Sequence, residues 1–300
     1  MPQPSFHLPP ILQLMRPHQW SKNVLLFFPL VLAHRLQEPA LFLTTCLAAF
    51  AFSLMASSVY VLNDYLDVEA DRKHPEKKNR PLAAGTVPLS WAPGIGGGLC
   101  LLALALAFTC FPPMFGGLLV AYLLANLAYS SMLKHIPVLD TVFLTLMFVL
   151  RIYAGGVAGN IPVSVWLLTF SLFFFLSIAF AKRVQELQLA VQAATSPDQK
   201  IRGYHTSDLP CISQLGIGSG LMSVLILALY MNSEEMIQQY KSPLYLWLLC
   251  PIMLFWIGRF WLLTLRGHML HDPILYALKD KISYLVLAAV MAILQIAYWV

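Results

Sequence analysis

The chain has 300 residues, of which 59% are hydrophobic and only 11% charged, with a formal net charge of +5. A water-soluble domain of this length needs far more charge to cover its surface, so that class is excluded, and no nucleic-acid partner is expected. Apolar runs near twenty residues recur from end to end, which predicts an all-α, polytopic integral membrane protein organised as a single domain over residues 1–300. The N-terminal stretch lacks the basic start, apolar core and small-residue cleavage site of a signal peptide. Cys46, Cys100, Cys110, Cys211 and Cys250 are scattered through apolar runs without metal spacing, and are expected to pack as small hydrophobes.

In chain order, residues 8–18 are expected to form a short interfacial helix with Arg16 and His18 on a wet edge. Nine spans are predicted, at roughly 20–36, 39–62, 90–110, 114–133, 138–158, 163–181, 212–231, 243–265 and 282–300. A long polar loop over about 184–210, carrying Glu186, Lys200, Arg202, Tyr204 and Asp208, separates the sixth and seventh. With a cytoplasmic N-terminus, all but three of the 19 Lys and Arg fall on the cytoplasmic side; the exceptions are Arg35, Lys241 and Arg151, the last within a span. That bias fixes the orientation and places every polar cluster on one side of what is expected to be a bacterial inner membrane.

The densest such cluster runs from Asn63 to Gly85. Asp64, Asp67 and Asp71 stand at i, i+3 and i+7, and Asn63, Asp67 and Asp71 at i, i+4 and i+8, so on a helix they share a face. Three carboxylates on one face repel unless a cation sits among them. Hard oxygen ligands suit Mg²⁺, which keeps several waters and bridges to substrate phosphates. The bases that follow, Arg72, Lys73, Lys77, Lys78 and Arg80, suit phosphate oxygens left over by the metal.

Four further constellations stand beside it. Lys22 and Asn23, where the chain enters the first span, can donate to phosphate oxygens, though Trp20 and Lys22 read equally as an interfacial anchor. Tyr129 and Lys134 close the fourth span. Lys182 and Arg183 with Glu186 form a charged turn at the end of the sixth, readable as an anion site or as a structural ion pair. Arg151 is a cation in hydrocarbon, which is expensive and calls for a polar cavity or an anionic partner.

The signature Asn63-Asp64-x-x-Asp67-x-x-x-Asp71 at the end of the second span resembles the first signature of the UbiA superfamily of intramembrane prenyltransferases. That resemblance implies about nine helices around a central cavity, dependence on Mg²⁺ and a lipid-chain substrate; a homotrimer would suit it. Prenyltransferases of the superfamily usually carry a second Asp-rich motif after the sixth span. Here Lys182-Arg183-x-x-Glu186-Leu187 stands in its place. A narrower branch, the polyprenyl-phosphate (decaprenyl-phosphate) phosphoribosyltransferases, is more similar. The matching blocks are RPHQWSKN (16–23), NDYLDVEADRKHP (63–75) with NRPLAAG (79–85), YSSMLKH (129–135), RIYAGGVA (151–158) and KRVQEL (182–187).

The narrower resemblance implies transfer of the 5-phosphoribosyl group of phosphoribosyl pyrophosphate to a polyprenyl phosphate, feeding synthesis of the arabinose donor for cell-envelope glycans. It implies Mg²⁺ on Asp64, Asp67 and Asp71, with Asn63 orienting the pyrophosphate and Lys78 and Arg80 neutralising leaving charge. Lys22, Tyr129, Lys134, Lys182 and Arg183 would divide the 5-phosphate and the lipid phosphate, and Glu186 would orient cations or meet ribose hydroxyls. The acceptor is already ionised, so no strong general base is required. The alternatives are a prenyltransferase acting on a prenyl diphosphate and an aromatic or polar acceptor, and a transporter, which would need more polarity at mid-membrane depth.

Overall fold

The computed structural model describes residues 9–73, 77–193, 200–268 and 280–300. The first eight residues and the His74–Pro75 end of the acidic block lie outside them. The described chain is almost wholly helical. It runs through α1 (Pro10–Met15), a 3₁₀ helix (Pro17–Phe27), α2 (Phe28–Leu32), α3 (Pro39–Leu66), α4 (Val68–Lys73), α5 (Ala92–Cys110), α6 (Pro113–Ser131), α7 (Leu139–Gly159) and α8 (Val165–Ala193). A two-stranded hairpin, β1 (Lys200–Ile201) and β2 (Tyr204–His205), precedes α9 (Leu209–Met231), α10 (Glu234–Gln239), α11 (Leu249–Leu265) and α12 (Lys281–Trp299). Among the described residues eight helical segments are long and apolar enough to cross a membrane: α3, α6, α7, α8, α12, and α5, α9 and α11 each with the 3₁₀ turn that leads into it.

The predicted first span is the segment Pro17–Leu32, and it is not a uniform α-helix. Eleven residues of 3₁₀ helix at about 2.0 Å rise and five of α-helix at about 1.5 Å still cover roughly 30 Å, the thickness of a hydrocarbon core. Proline at the start of each piece supplies no backbone N–H to a preceding turn, which breaks the segment in two. The sixth span also departs from expectation, because α8 continues into the first part of the predicted polar loop, to Ala193. Val184, Leu187 and Ala190 recur at helical spacing there and are all buried, so packing carries the helix on.

By contacts the chain divides into two compact units. One comprises Met1–Met132 with Leu150–Val163, the other Leu133–Val149 with Ser164–Val300. In the first unit α3 packs against α5, α6 and the 3₁₀ helix. One stripe of α3 at three-to-four-residue spacing receives that helix. Ser57 Oγ accepts from Trp20 Nε1 at 3.0 Å and donates to the carbonyl of Met15 at 2.8 Å. Ser53 Oγ accepts from Asn23 Nδ2 at 2.8 Å. The register follows from helix geometry: three residues of 3₁₀ helix and four of α-helix each advance about 6 Å, so Trp20 and Asn23 meet Ser57 and Ser53 in turn. α1 turns Leu14 into a buried cluster with Val61, Val68, Leu82, Val87 and Ala92, while Ile11, Leu12 and Gln13 are exposed.

In the second unit α8 packs along α9, and α11 lies against both. Ser177 Oγ ties the three together, donating to the carbonyl of Gly216 at 2.7 Å and accepting from Trp261 Nε1 at 2.9 Å. The hairpin pairs Lys200 with His205 and Ile201 with Tyr204 across a two-residue turn. Both turn residues, Arg202 and Gly203, have positive φ (50° and 89°), as a type I′ turn requires. Asp280 caps α12 by accepting from Ser283 N and is held by Arg259 at 2.6 and 3.0 Å.

One close backbone approach in the first unit is set by glycine. A Cβ on Gly155 of α7 would stand 2.1 Å from the carbonyl oxygen of Leu26, whereas one on Gly97 of α5 would meet nothing within 4 Å. Gly155→Ala is expected to destabilise the protein by about 1–3 kcal/mol through overpacking against backbone. Gly97→Ala should be neutral, or stabilising by up to about 1 kcal/mol from helix propensity. Thermal unfolding in detergent checks this; equal midpoints for Gly155→Ala and wild type would contradict the contact.

Candidate active site

Two polar clusters stand out in a chain with so little charge, one in each unit. In the first unit, α3 ends at Leu66 and the backbone resumes helical geometry in α4. The N–H of Asp67 reaches the carbonyl of Asn63 (2.9 Å) and that of Asp71 the carbonyl of Asp67 (2.8 Å). The break leaves Asp64 and Asp71 on one face. Both are buried, at 2% and 3% exposure, while Asp67 at the break is half-buried.

Arginine supplies the counter-charge. Arg80 Nη1 lies 2.9 Å from Asp64 Oδ1 and 2.6 Å from Asp71 Oδ2, so one nitrogen bridges two carboxylates. Arg16 Nη2 donates to Asp64 Oδ1 at 2.5 Å, and its guanidinium stands over the Tyr60 ring at 5.1 Å. Tyr60 and Asp64 extend the α3 stripe that holds Trp20 and Asn23. The docking of the first segment therefore delivers Arg16 to its partner. Arg16, Asp64 and Arg80 line an open cavity of about 500 Å³ together with Gln13, Pro17, His18, Gln19 and Pro81.

No group of three or more His, Cys, Asp or Glu is placed to hold a metal ion among the described residues. The donor chemistry nevertheless fits a hard divalent cation. Two buried carboxylates converge on a single cationic atom, and a third carboxylate, Asp67, lies between them in sequence. Asp64 and Asp71, with Asp67, are the residues that would hold Mg²⁺.

The remaining sequence-predicted residues of this unit separate into two groups. Asn23 and Arg151 face inward. Asn23 is buried, donates to Ser53 and accepts from Arg151 Nε at 3.0 Å. Arg151 also donates to Tyr122 Oη at 2.9 Å and rests on the faces of Phe52 and Tyr122, at 5.2 and 4.9 Å. A buried cation is thus held by an amide, a phenol and two aromatic rings. Lys22 and Tyr129 are half-buried, Lys78 is exposed, and Asn63 Oδ1 accepts from Ser130 Oγ at 2.9 Å.

The second unit gathers Arg183, Glu186 and two residues that the sequence reading gave no role, Asp140 and Tyr204. Arg183, 2% exposed, donates through Nε to Asp140 Oδ2 at 2.5 Å and through Nη1 to Glu186 Oε2. Tyr204 Oη donates to Asp140 Oδ1 at 2.5 Å and accepts from the N–H of Val138 at 2.6 Å. Burial, and then the bond to Asp140, push the Tyr204 phenol well above its ordinary pKa, so it stays a donor throughout the neutral range. Arg202 Nε approaches Glu186 at 3.8 Å. Lys182 on α8 and Lys134 in the 3₁₀ turn Leu133–His135 are half-buried.

Arg183 is therefore turned into the unit and tethers α8 to α7 and, through Asp140 and Tyr204, to the hairpin. The signal for Asp140 was present: it is a lone carboxylate at the start of a predicted span, which demands a buried partner. Tyr204 gave none, since nothing local marks a tyrosine in a polar stretch as buried.

Comparison with known proteins agrees with this architecture. A "Nodulation protein NoeC" of Azorhizobium caulinodans is 35% identical over 274 residues, 89% of this chain and 86% of its own length. An "Uncharacterized protein y4nM" of Sinorhizobium fredii is 36% identical over 279 residues, 91% of this chain. The chain spans only about half of that protein (52%). A "Decaprenyl-phosphate phosphoribosyltransferase" of Mycolicibacterium smegmatis is 37% identical over 205 residues, 66% of this chain and 64% of that protein. Among solved structures, a UbiA homolog from Archaeoglobus fulgidus bound to DMAPP and Mg²⁺ superposes with a TM-score of 0.66 at 17% identity, covering 95% of this chain and 99% of the other. The sequence pattern of the UbiA prenyltransferase family matches residues 24–299, and the chain belongs to that family.

Proposed function

We propose that the protein transfers the 5-phosphoribosyl group of phosphoribosyl pyrophosphate to a polyprenyl phosphate, with Mg²⁺ bound and pyrophosphate released. The reading places the reaction at the cytoplasmic face of a bacterial inner membrane, as the charge bias of the loops suggests. The relatives named decaprenyl-phosphate phosphoribosyltransferase support it. The observation that carries it lies in the second unit. A prenyl diphosphate enzyme needs acids there for a second metal clamp, but Asp140 and Glu186 are both taken by Arg183. A donor with phosphate at each end needs direct cations instead.

In this reading Asp64, Asp71 and Asp67 hold Mg²⁺, which supplies charge stabilisation to the departing pyrophosphate. Arg80 and Lys78 neutralise leaving charge, and Asn63 keeps its end of the site ordered through Ser130. Of the phosphate contacts in this reading, Lys22 and Tyr129 belong to the first unit and Lys134 and Lys182 to the second, where Glu186 orients Arg183. Arg151, Asn23 and Arg183 act as positioning residues. The acceptor phosphate is ionised at neutral pH, so the absence of a nucleophilic His or Cys from the proposed roles is consistent with the chemistry.

The direct experiment supplies the purified protein with Mg²⁺, a polyprenyl phosphate and labelled phosphoribosyl pyrophosphate, and in parallel a labelled prenyl diphosphate with aromatic acceptors. Label from the ribose donor is expected in the lipid fraction, and none after chelation of the metal. Transfer from the prenyl diphosphate alone would replace this reading by the prenyltransferase one.

The tether makes a separate prediction. Arg183→Ala leaves Asp140 buried without its cation and should destabilise the protein by about 3–5 kcal/mol. Arg183→Ala with Asp140→Asn should recover a large part of that loss. Melting temperatures of the two variants check it. If Arg183→Ala melts like the wild type and only substrate use falls, Arg183 is a substrate ligand and not a tether.

A further inference from the structure

We propose that Arg16 and Arg80 serve two sets of partners: Asp64 and Asp71 while the site lacks a divalent cation, and the oxygens of a diphosphate in the adjoining 500 Å³ cavity once such a cation takes the carboxylates. This rests on the proposed function, which brings a diphosphate and Mg²⁺ to the same site, and assigns that site a charge exchange.

The four side chains are formally neutral together. The carboxylates are the more deeply buried members, near the C-terminal ends of α3 and α4. The arginines are the movable ones. Their side chains keep 22% and 28% exposure and both line the cavity. Arg16 sits at a left-handed backbone position between α1 and the 3₁₀ helix, and Arg80 lies beyond the short 3₁₀ turn Lys77–Asn79.

Arg80 Nη1, within 2.9 Å of both acids, occupies the position where a divalent cation would bind them. The two cations compete for one place. When the metal wins, the site becomes net positive even with Asp67 counted, and the two guanidinium groups beside the cavity lose Asp64 and Asp71 as partners. Planar forks of this kind match phosphate oxygens, and Gln13, His18 and Gln19 supply further polar groups around the same space. Metal and diphosphate then favour one another's binding because each relieves the charge that the other leaves uncompensated.

The test uses the full chain in detergent, with Mn²⁺ as the metal probe read by electron paramagnetic resonance and inorganic pyrophosphate as the anion probe read by calorimetry. In the wild type, pyrophosphate should bind at least about tenfold more tightly with saturating Mn²⁺ than without a divalent cation. Arg80→Gln should bind Mn²⁺ about tenfold more tightly than wild type, since the competitor is gone. With Mn²⁺ saturating, it should bind pyrophosphate about ten- to a hundredfold more weakly. Arg16→Gln should move both in the same directions.

If Arg80→Gln proves unstable, Arg80→Lys keeps the charge and should still weaken pyrophosphate binding by loss of the fork. Unchanged Mn²⁺ affinity in Arg80→Gln, or unchanged pyrophosphate affinity in the variant used, overturns the proposal, as does a wild type that binds no Mn²⁺. Neither probe contains ribose or lipid, so this outcome is independent of which donor the transfer experiment selects.

Discussion

Asp64 and Asp71 are carboxylates withdrawn almost completely from water, and an arginine nitrogen is held between them as counter-charge. Much of the first unit serves that requirement. The break after Leu66 aims the two acids at one point, the loop after Asn79 brings in Arg80, and the stripe of α3 that grips Trp20 and Asn23 carries Arg16 to Asp64. The 3₁₀ geometry of Pro17–Phe27 belongs to the same constraint, because it keeps every third residue in step with every fourth on α3. Catalytic potential and fold are here the same set of contacts.

The second unit meets its buried acid by a different arrangement. Asp140 is shared between Arg183 and Tyr204, so one carboxylate binds α7, α8 and the hairpin together. The glycine turn assists: Gly203 passes so near the carbonyl of His135 that a Cβ would stand 2.3 Å from it. Arg183 is 2% exposed, against 22% and 28% for Arg16 and Arg80, and Tyr204 holds the other oxygen of Asp140, so this counter-charge is locked in place where the other pair borders a cavity.

The sequence made the apolar helices and the shared face of Asp64 and Asp71 legible, because both are periodic signals that local geometry obeys. What it hid was non-local. Arg16 stands one residue from a proline in an apparently interfacial segment, and only its distant partner, 48 positions along, reveals its place. Asn23 reads as a free donor until Ser53 and Arg151 occupy it. Arg183 reads as a cation at a helix end until α8 is seen to continue past it. The 3₁₀ segment was invisible because an apolar run carries no period that separates it from an α-helix.

The central claim is that the counter-charge of Asp64 and Asp71 is exchangeable between arginine and a divalent cation. An experimental structure of the protein with Mg²⁺ and pyrophosphate tests it most directly. The account expects the metal on the oxygens of Asp64 and Asp71, with the guanidinium groups of Arg80 and Arg16 turned onto pyrophosphate oxygens. Arg80 still bridging both carboxylates, with the metal held elsewhere, would contradict it.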